Sequence, residues 1–426
     1  MTEIHIEKIP YGKTELTLRI PEKNYVGTLT PTYHAGVDDE PAEVMRALKT
    51  PIGSETLGEI VKKAKGKKTV VVVNDGTRPT ATHKMLLPLM SELEACGIPD
   101  RDITLLVATG THRAVQPDEF EKLLGKRIAE RYRIVNHDCL DLENMVEIGT
   151  TSLGIPVILN RLFCDADIKI LTGSIHPHQG AGFSGGRKSI LPGMTSLETL
   201  KLHHGPKFRP PEPAMGWMDG NPFHLQAMEA AKMAKPDFIL NLVQNQKKEI
   251  TRAVAGDLEE AWMAGVEASR AIFEIEVPED VDIVVVVPGG SPRDFNLYQS
   301  QKSMATAELV VKKGGSIILP VECPDGVGSE LFFEWMATAS CPGDVMERFR
   351  VEGYDVGTSK AWLYSRCLLK ADVIVVSDCL DEKTLGQMFT KKAADLDTAI
   401  AMALKTQGPD AKVLVLRNAA DMIPKK

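Results

Sequence analysis

Thirteen residues, His176-Pro-His-Gln-Gly-Ala-Gly-Phe-Ser-Gly-Gly-Arg-Lys188, follow an apolar run and gather two histidines, four glycines and a lysine into one loop. Two imidazoles two positions apart suit proton transfer near neutral pH or metal ligation. The glycines at 180, 182, 185 and 186 permit positive φ and let backbone N–H groups approach an anion or a flat ligand. Lys188 can serve as a charge partner or, desolvated, as a nucleophile toward a carbonyl-like group. Two familiar phosphate motifs fail here. Gly180-x-Gly182-x-x-Gly185 matches the dinucleotide fingerprint as a string, but the strand before it ends near Thr172 and Pro192-Gly193 interrupts the helix that should follow. Gly182 to Ser189 resembles a P-loop except that Arg187 stands where the second glycine belongs.

Such a loop must be held by rigid elements, and the chain supplies them. Short β-branched runs at Thr69–Val73, Ile103–Val107, Asp167–Leu171, Phe238–Val243, Asp282–Val287, Ser316–Leu319, Val373–Val376 and Val413–Leu416 read as buried strands. Helical patterns at Lys84–Glu94, Leu258–Phe273, Leu297–Lys312 and Asp395–Thr406 alternate with them. The alternation predicts two α/β domains with largely parallel sheets and a cofactor and substrate cleft between them. Residues 1–275 form the expected N-terminal cofactor-binding and catalytic domain. Residues 276–426 form a C-terminal domain closing the cleft, its last residues candidates to return to the first domain. The opening alternation, Ile4–Ile9 and Glu15–Ile20, reads as an antiparallel hairpin attached to the first domain.

Ligands of open α/β sheets gather beyond the carboxyl ends of strands. After Val73 stand Asn74-Asp75-Gly76-Thr77-Arg78, and after Val107 stand Ala108-Thr109-Gly110-Thr111-His112. In the second domain Pro288-Gly289-Gly290-Ser291 follows Val287 and leads to Tyr298, Gln299 and Lys302, with Tyr298 and Lys302 four apart on one helical face.

The composition is that of ordinary globular material: 426 residues, 43% hydrophobic and 25% charged. A formal net charge of -8 argues against a nucleic-acid or anionic-membrane partner and for small molecules. The seven cysteines are scattered without a C-x-x-C pair, which fits a reducing compartment with no disulfide or zinc framework. No apolar run reaches the ~20 residues of a membrane span, and the N-terminus does not read as a signal peptide, so a cytoplasmic location is expected.

Asp75-Gly-Thr-Arg78, Gly110-Thr-His112, Pro177-His178 with Gly182-Phe-Ser-Gly-Gly-Arg-Lys188, His204, and Asn296-Leu-Tyr-Gln299 with Lys302 together resemble the nickel-dependent lactate racemase family in motif order and spacing, over most of the chain. The resemblance implies a racemase or 2-epimerase of a 2-hydroxy acid carrying a nickel-pincer nucleotide (nickel pyridinium-3,5-bisthiocarboxylic acid mononucleotide). It makes Lys188 the covalent attachment point and His204 the nickel ligand, with His203 beside it. His112 and His178 become the paired acid/base residues. Asp75, Gly76, Thr77 and Arg78 would hold the cofactor, while Arg78, Gln299, Lys302, Tyr298 and Trp362 would orient substrate or wall its pocket. Soft sulfur donors with one imidazole suit nickel.

The same resemblance implies hydride chemistry. Removing the α-hydrogen of a 2-hydroxy acid as a proton sets a second negative charge beside the carboxylate, whereas removing it as hydride leaves a stable 2-keto acid. A histidine that takes the hydroxyl proton drives that outcome. Activity would then depend on the enzymes that make the cofactor. Arg293, beside the Tyr298 helix, either faces solvent or favours a second carboxylate or a polyol, so the acid is left open among lactate, other short acids and sugar acids. His176, His83 and His137 read as local structure. The alternatives are a nicotinamide-dependent 2-hydroxy acid dehydrogenase, a non-catalytic binder of the nucleotide, and a hydrolase using His176 and His178 as metal ligands.

Overall fold

A computed structural model describes residues 3–76, 80–278 and 281–425; Thr77 and Arg78, both expected at the site, lie outside the described residues. The chain forms two compact units, one of residues 33–209 with 216–272 and the other of residues 1–32, 210–215 and 273–426. Each is α/β and each is built on a six-stranded sheet.

In the unit of residues 33–209 and 216–272 the strands run in the order Ile250–Gly256, Phe238–Gln244, Ile168–Ser174, Thr69–Asn74, Ile103–Ala108, Arg133–Asn136. All neighbours are parallel except Ile250–Gly256, which returns antiparallel beside Phe238–Gln244. Unbroken runs such as Val70–Val73 are what a sheet covered on both faces requires, and these four valines are buried. Val71, Val73, Leu105 and Val107 join Leu86, Leu89 and Leu93 of the helix Thr82–Ala95 in one core. The order reverses between Thr69–Asn74 and Ile168–Ser174, since successive strands go one way from Thr69 to Arg133 and the other way from Ile168. That switch point sits where the loops carrying Asp75 and His176–Lys188 emerge. The glycine loop's strand runs on to Ser174, past the end expected near Thr172.

In the other unit six parallel strands are ordered Lys391–Ala393, Asp372–Val376, Val311–Pro320, Val281–Val287, Val413–Arg417, Tyr25–Leu29. One face packs against the helices Leu297–Val310, Glu330–Ala337, Pro342–Glu352 and Thr358–Lys370; the other carries Leu396–Gln407 and the inner residues Ile9, Leu18 and Ile20 of the N-terminal hairpin. Here three expectations are corrected. The hairpin forms, Ile4–Tyr11 against Thr14–Pro21, but it belongs to this unit because its apolar face completes this core and the following strand, Tyr25–Leu29, pairs with Val413–Arg417. The last residues also stay here, Ile423–Lys425 pairing with Glu274–Glu276. The helix expected over 297–312 stops at Val310, and Val311–Pro320 is strand. Among the described residues no helix is long and apolar enough to cross a membrane.

Candidate functional site

Directly after Asn74, Asp75 turns a buried carboxylate toward His112, whose Nδ1 lies 2.7 Å from Asp75 Oδ2. A carboxylate only accepts, so His112 Nδ1 carries the hydrogen and the neutral ring presents its lone pair at Nε2. His112 is reached by a turn off the Ile103–Ala108 strand, where Gly110 takes φ +56 and donates its N–H to the Gly193 carbonyl at 3.0 Å. This ties the His112 loop to the end of the lysine loop. A polar chain makes a second tie: Thr80 Oγ1 lies 2.8 Å from Ser174 Oγ, and Ser184 Oγ donates to the Ser174 carbonyl. Gly76 leaves open space where a Cβ would be.

The glycine loop is closed by its own backbone rather than by a helix. A short 3-10 turn, Gly186–Ser189, replaces the helix that either phosphate motif would need. Gly185 takes φ +76 with Asn241 Oδ1 2.3 Å from where its Cβ would sit, so only glycine fits there. Arg187, which the sequence offered only as a departure from the P-loop, is completely buried. Its guanidinium donates to the Ala181 carbonyl at 2.7 Å and to His224 Nδ1 at 3.1 Å, reaches the Ser184 and Gly185 carbonyls, and lies 3.8 Å over the Trp262 ring. Burial pushes the His224 imidazole down to about 3, which keeps it a neutral acceptor.

Inside this frame His178 is set oppositely to His112. Its Nδ1 accepts the N–H groups of both Gly180 and Ala181 at 3.1 Å, so the neutral ring carries its hydrogen on Nε2. Lys188 is 8% exposed, its Nζ 5.7 Å from the centre of the Phe223 ring.

The helix Leu197–His204, capped by Ser196 Oγ on Thr199 N, brings His203 and His204 to the same ring. His203 is fully buried, and desolvation pushes it down to about 3. Its Nε2 donates to the Phe223 carbonyl at 2.8 Å, which leaves Nδ1 as an acceptor, and His204 Nδ1 lies 3.2 Å from it. The shared hydrogen therefore belongs to His204 Nδ1, and His204 presents its lone pair at Nε2, the form a metal ligand needs. His203 has both nitrogens engaged as the orienting partner. Desolvation, then the charges of His203, Arg209, Lys188 and His178, hold His204 well below its ordinary value, so these five side chains share one electrostatic neighbourhood. Arg209 was not anticipated from sequence; it donates from Nε to the His204 carbonyl at 3.0 Å. Its only sequence signal is a basic residue five positions after a histidine.

Among the described residues no group of three or more His, Cys, Asp or Glu could hold a metal ion. A metal bound through His204 would have to draw its other donors from a non-protein group, which is what a sulfur pincer supplies. The residues present fit the expected cofactor.

The remaining expected residues lie in the other unit. Asn296 caps the helix Leu297–Val310 by accepting from Gln299 N, and Lys302 Nζ donates to Gln299 Oε1 at 2.7 Å. Lys360, also missed in the sequence, donates to Gln301 Oε1 and stands 4.9 Å over the Tyr298 ring. Trp362 belongs to the core, tilted against Phe349 and beneath the Arg366 guanidinium. Arg293 pairs with Asp421 at 2.6 Å. His137 is buried between the Thr195 carbonyl and Asn160 Nδ2, a structural histidine.

Residues 11–216 match the lactate racemase N-terminal domain and residues 277–423 the lactate racemase C-terminal domain. The chain is 35% identical to a lactate racemase of Thermoanaerobacterium thermosaccharolyticum, covering 98% of each chain. It is 34% identical to one of Lactiplantibacillus plantarum, covering 98% of this chain and 99% of that one. The solved lactate racemase apoprotein of T. thermosaccharolyticum superposes with a TM-score of 0.92 at 33% identity, over 99% of this chain and all of that one. A Thermotoga maritima protein at 21% identity and a TM-score of 0.66 shares the fold.

Proposed function

Because this chain belongs to the lactate racemase family, and is thereby an isomerase, we propose that it racemises lactate or a close 2-hydroxy acid, with His112 and His178 as the acid/base pair. The observation that carries this reading is that the Nδ1 atoms of the two rings meet opposite partners, a carboxylate at His112 and two backbone N–H groups at His178, which sets opposite tautomers. His112, held by Asp75, presents a lone pair at Nε2, while His178, held by two backbone N–H groups, presents a hydrogen at Nε2. A racemase needs one group that takes the hydroxyl proton and another that supplies one, with the roles exchanged for the other enantiomer. Asp75 stabilises the imidazolium that forms on His112 after it accepts the proton.

The proposed cofactor is a nickel-pincer nucleotide joined through Lys188, with His204 Nε2 on the nickel and His203 fixing its ring. When bound it supplies a two-electron acceptor for the α-hydrogen. The chain itself would hold the hydroxyl proton at His112 or His178, and Arg78, in the same stretch of sequence as Asp75, is the residue proposed to orient the carboxylate. Arg293 pairs with Asp421 while its side chain stays partly exposed, so the acid remains open between lactate and other 2-hydroxy acids. The dehydrogenase reading loses support because a short 3-10 turn, Gly186–Ser189, rather than an α-helix directly follows the glycines where a dinucleotide pyrophosphate would be received.

Intact mass and nickel content of protein co-produced with the cofactor-making enzymes test the reading. Wild type should carry a nickel-bearing adduct that Lys188→Ala lacks. His112→Ala and His178→Ala should keep the adduct and lose roughly 10²–10⁴-fold in lactate interconversion. Full racemisation by either variant would defeat the paired-histidine mechanism.

A further inference from the structure

The turn that carries Lys188 is fastened at two points to the sheet beneath it, and one fastening comes at a cost. Ser189 Oγ donates to the Thr172 carbonyl at 3.1 Å, and Gly186 N donates to Asn241 Oδ1 at 2.9 Å. Asn241 stands on the strand Phe238–Gln244, level with Gly173 of Ile168–Ser174. The loop rests directly on that level, with Gly185 Cα 3.6 Å and Asn241 Oδ1 3.7 Å from where a Cβ on Gly173 would sit. Between the two fastenings Lys188 N donates to the Gly185 carbonyl, and Gly193 N donates to the Lys188 carbonyl. A hold on Gly186 is therefore a hold on Lys188.

The cost lies in the other half of the amide. A backbone N–H only donates, so the atom facing Gly186 is the oxygen and Nδ2 must point away from it. Asn241 is fully buried, and among the described residues its Nδ2 has no hydrogen-bond partner. A stranded buried donor is destabilising. The neighbours on the strand, Ile239, Leu240, Leu242 and Val243, are all apolar and buried, so packing alone would favour an apolar residue here too. A position that breaks the local rule for a core strand is where a functional demand is expected. What Asn241 contributes is the acceptor it offers the turn.

We infer that Asn241 is a positioning residue for Lys188, its Oδ1 fixing the turn so that the lysine amine is held in place to take up the cofactor. The inference rests on the tether reading above and adds a residue to it.

The test uses the full chain. Asn241→Leu keeps the volume and removes the acceptor, whereas Asn241→Asp keeps an oxygen for Gly186 N. In protein prepared without cofactor, labelling by acetic anhydride is read at Lys188 by peptide mass spectrometry against the exposed Lys235. Lys188 is 8% exposed. Relative to Lys235 it should label about threefold faster or more in Asn241→Leu and return toward wild type in Asn241→Asp. In protein co-produced with the cofactor-making enzymes, Asn241→Leu should carry about tenfold less nickel-bearing adduct per folded molecule, again recovered in Asn241→Asp. A purely structural asparagine would lower the yield of folded protein in both variants without moving either ratio, and that result overturns the inference. So does wild-type labelling or wild-type adduct in Asn241→Leu. Should neither variant fold, hydrogen exchange in wild type decides: the Gly186 amide should be among the slowest of residues 176–188, and exchange at the rate of an unprotected amide overturns the inference. If wild type carries no adduct, the tether reading falls and the inference with it, whereas a wild-type adduct with an unaffected Asn241→Leu sinks Asn241 alone.

Discussion

Each unit buries an arginine against a tryptophan, and the two are satisfied in opposite ways. Arg366 meets Glu308 through two parallel hydrogen bonds of 2.8 and 3.2 Å, with Pro210 O as a third acceptor and Trp362 beneath. Its charge is cancelled where it stands, between the helices Leu297–Val310 and Thr358–Lys370. Arg187 lies over Trp262, and its hydrogen-bond acceptors are three carbonyls and a neutral imidazole. Those acceptors solvate the guanidinium without neutralising it. The first arrangement makes an inert joint. The second leaves a cation without a counter-charge in the loop that carries Lys188, which suits the anionic cofactor and carboxylate substrate proposed above.

Breaking each arrangement should separate the two cases. Glu308→Ala strands the Arg366 charge and should cost about 3–5 kcal/mol in denaturant unfolding, whereas the double change Arg366→Met with Glu308→Leu should recover most of it. A single variant as stable as wild type would show that the pair is not the dry joint described. Arg187→Met should cost less, about 2–4 kcal/mol, because the atoms it orphans are neutral, yet it should greatly reduce the Lys188 adduct. Normal adduct yield in a folded Arg187→Met protein would remove the loop's cation from the binding account.

The third contrast is in pH. Burial holds His224 down to about 3, so it stays neutral in the folded unit while its unfolded counterpart takes up a proton below about 6.5, and burial lowers His137 in the same direction. The unfolded state then binds more protons, and stability present above that pH is lost as it falls toward 3, by about 2 kcal/mol for His224 at pH 5. Hydrogen exchange should show the unit of residues 33–209 and 216–272 loosening first in acid. Acid exchange unchanged by His224→Gln would remove that imidazole as the cause.

Much of this layout was legible from pattern alone, because parallel strands buried on both faces announce themselves as β-branched runs and their polar ends mark the site. Position along the chain misled where pairing is long-range. The N-terminal hairpin precedes the first expected strand and was therefore joined to its neighbours, but its partners lie at the far end of the sequence. Partner choice was equally hidden. Asp75 read as a holder of cofactor, and nothing in its spacing disclosed that its carboxylate meets His112. Likewise, two consecutive histidines cannot be told apart on a helix until the Phe223 carbonyl claims one of them. Arg187 was invisible as a structural cation because burial, not spacing, gives it meaning.

The pairing of Tyr25–Leu29 with Val413–Arg417 also bears on how the protein is born. Asn24 donates its side-chain hydrogen bond to the Ala411 carbonyl, 387 residues away. On the ribosome the residues of the first sheet, Thr69 through Gly256, are all available long before Val413 emerges, so that unit can mature early. The opening hairpin, with Ile9, Leu18 and Ile20 to bury, must wait for almost the whole polypeptide. During that wait it is an unclaimed apolar ribbon, the segment that a nascent-chain chaperone would have most reason to hold.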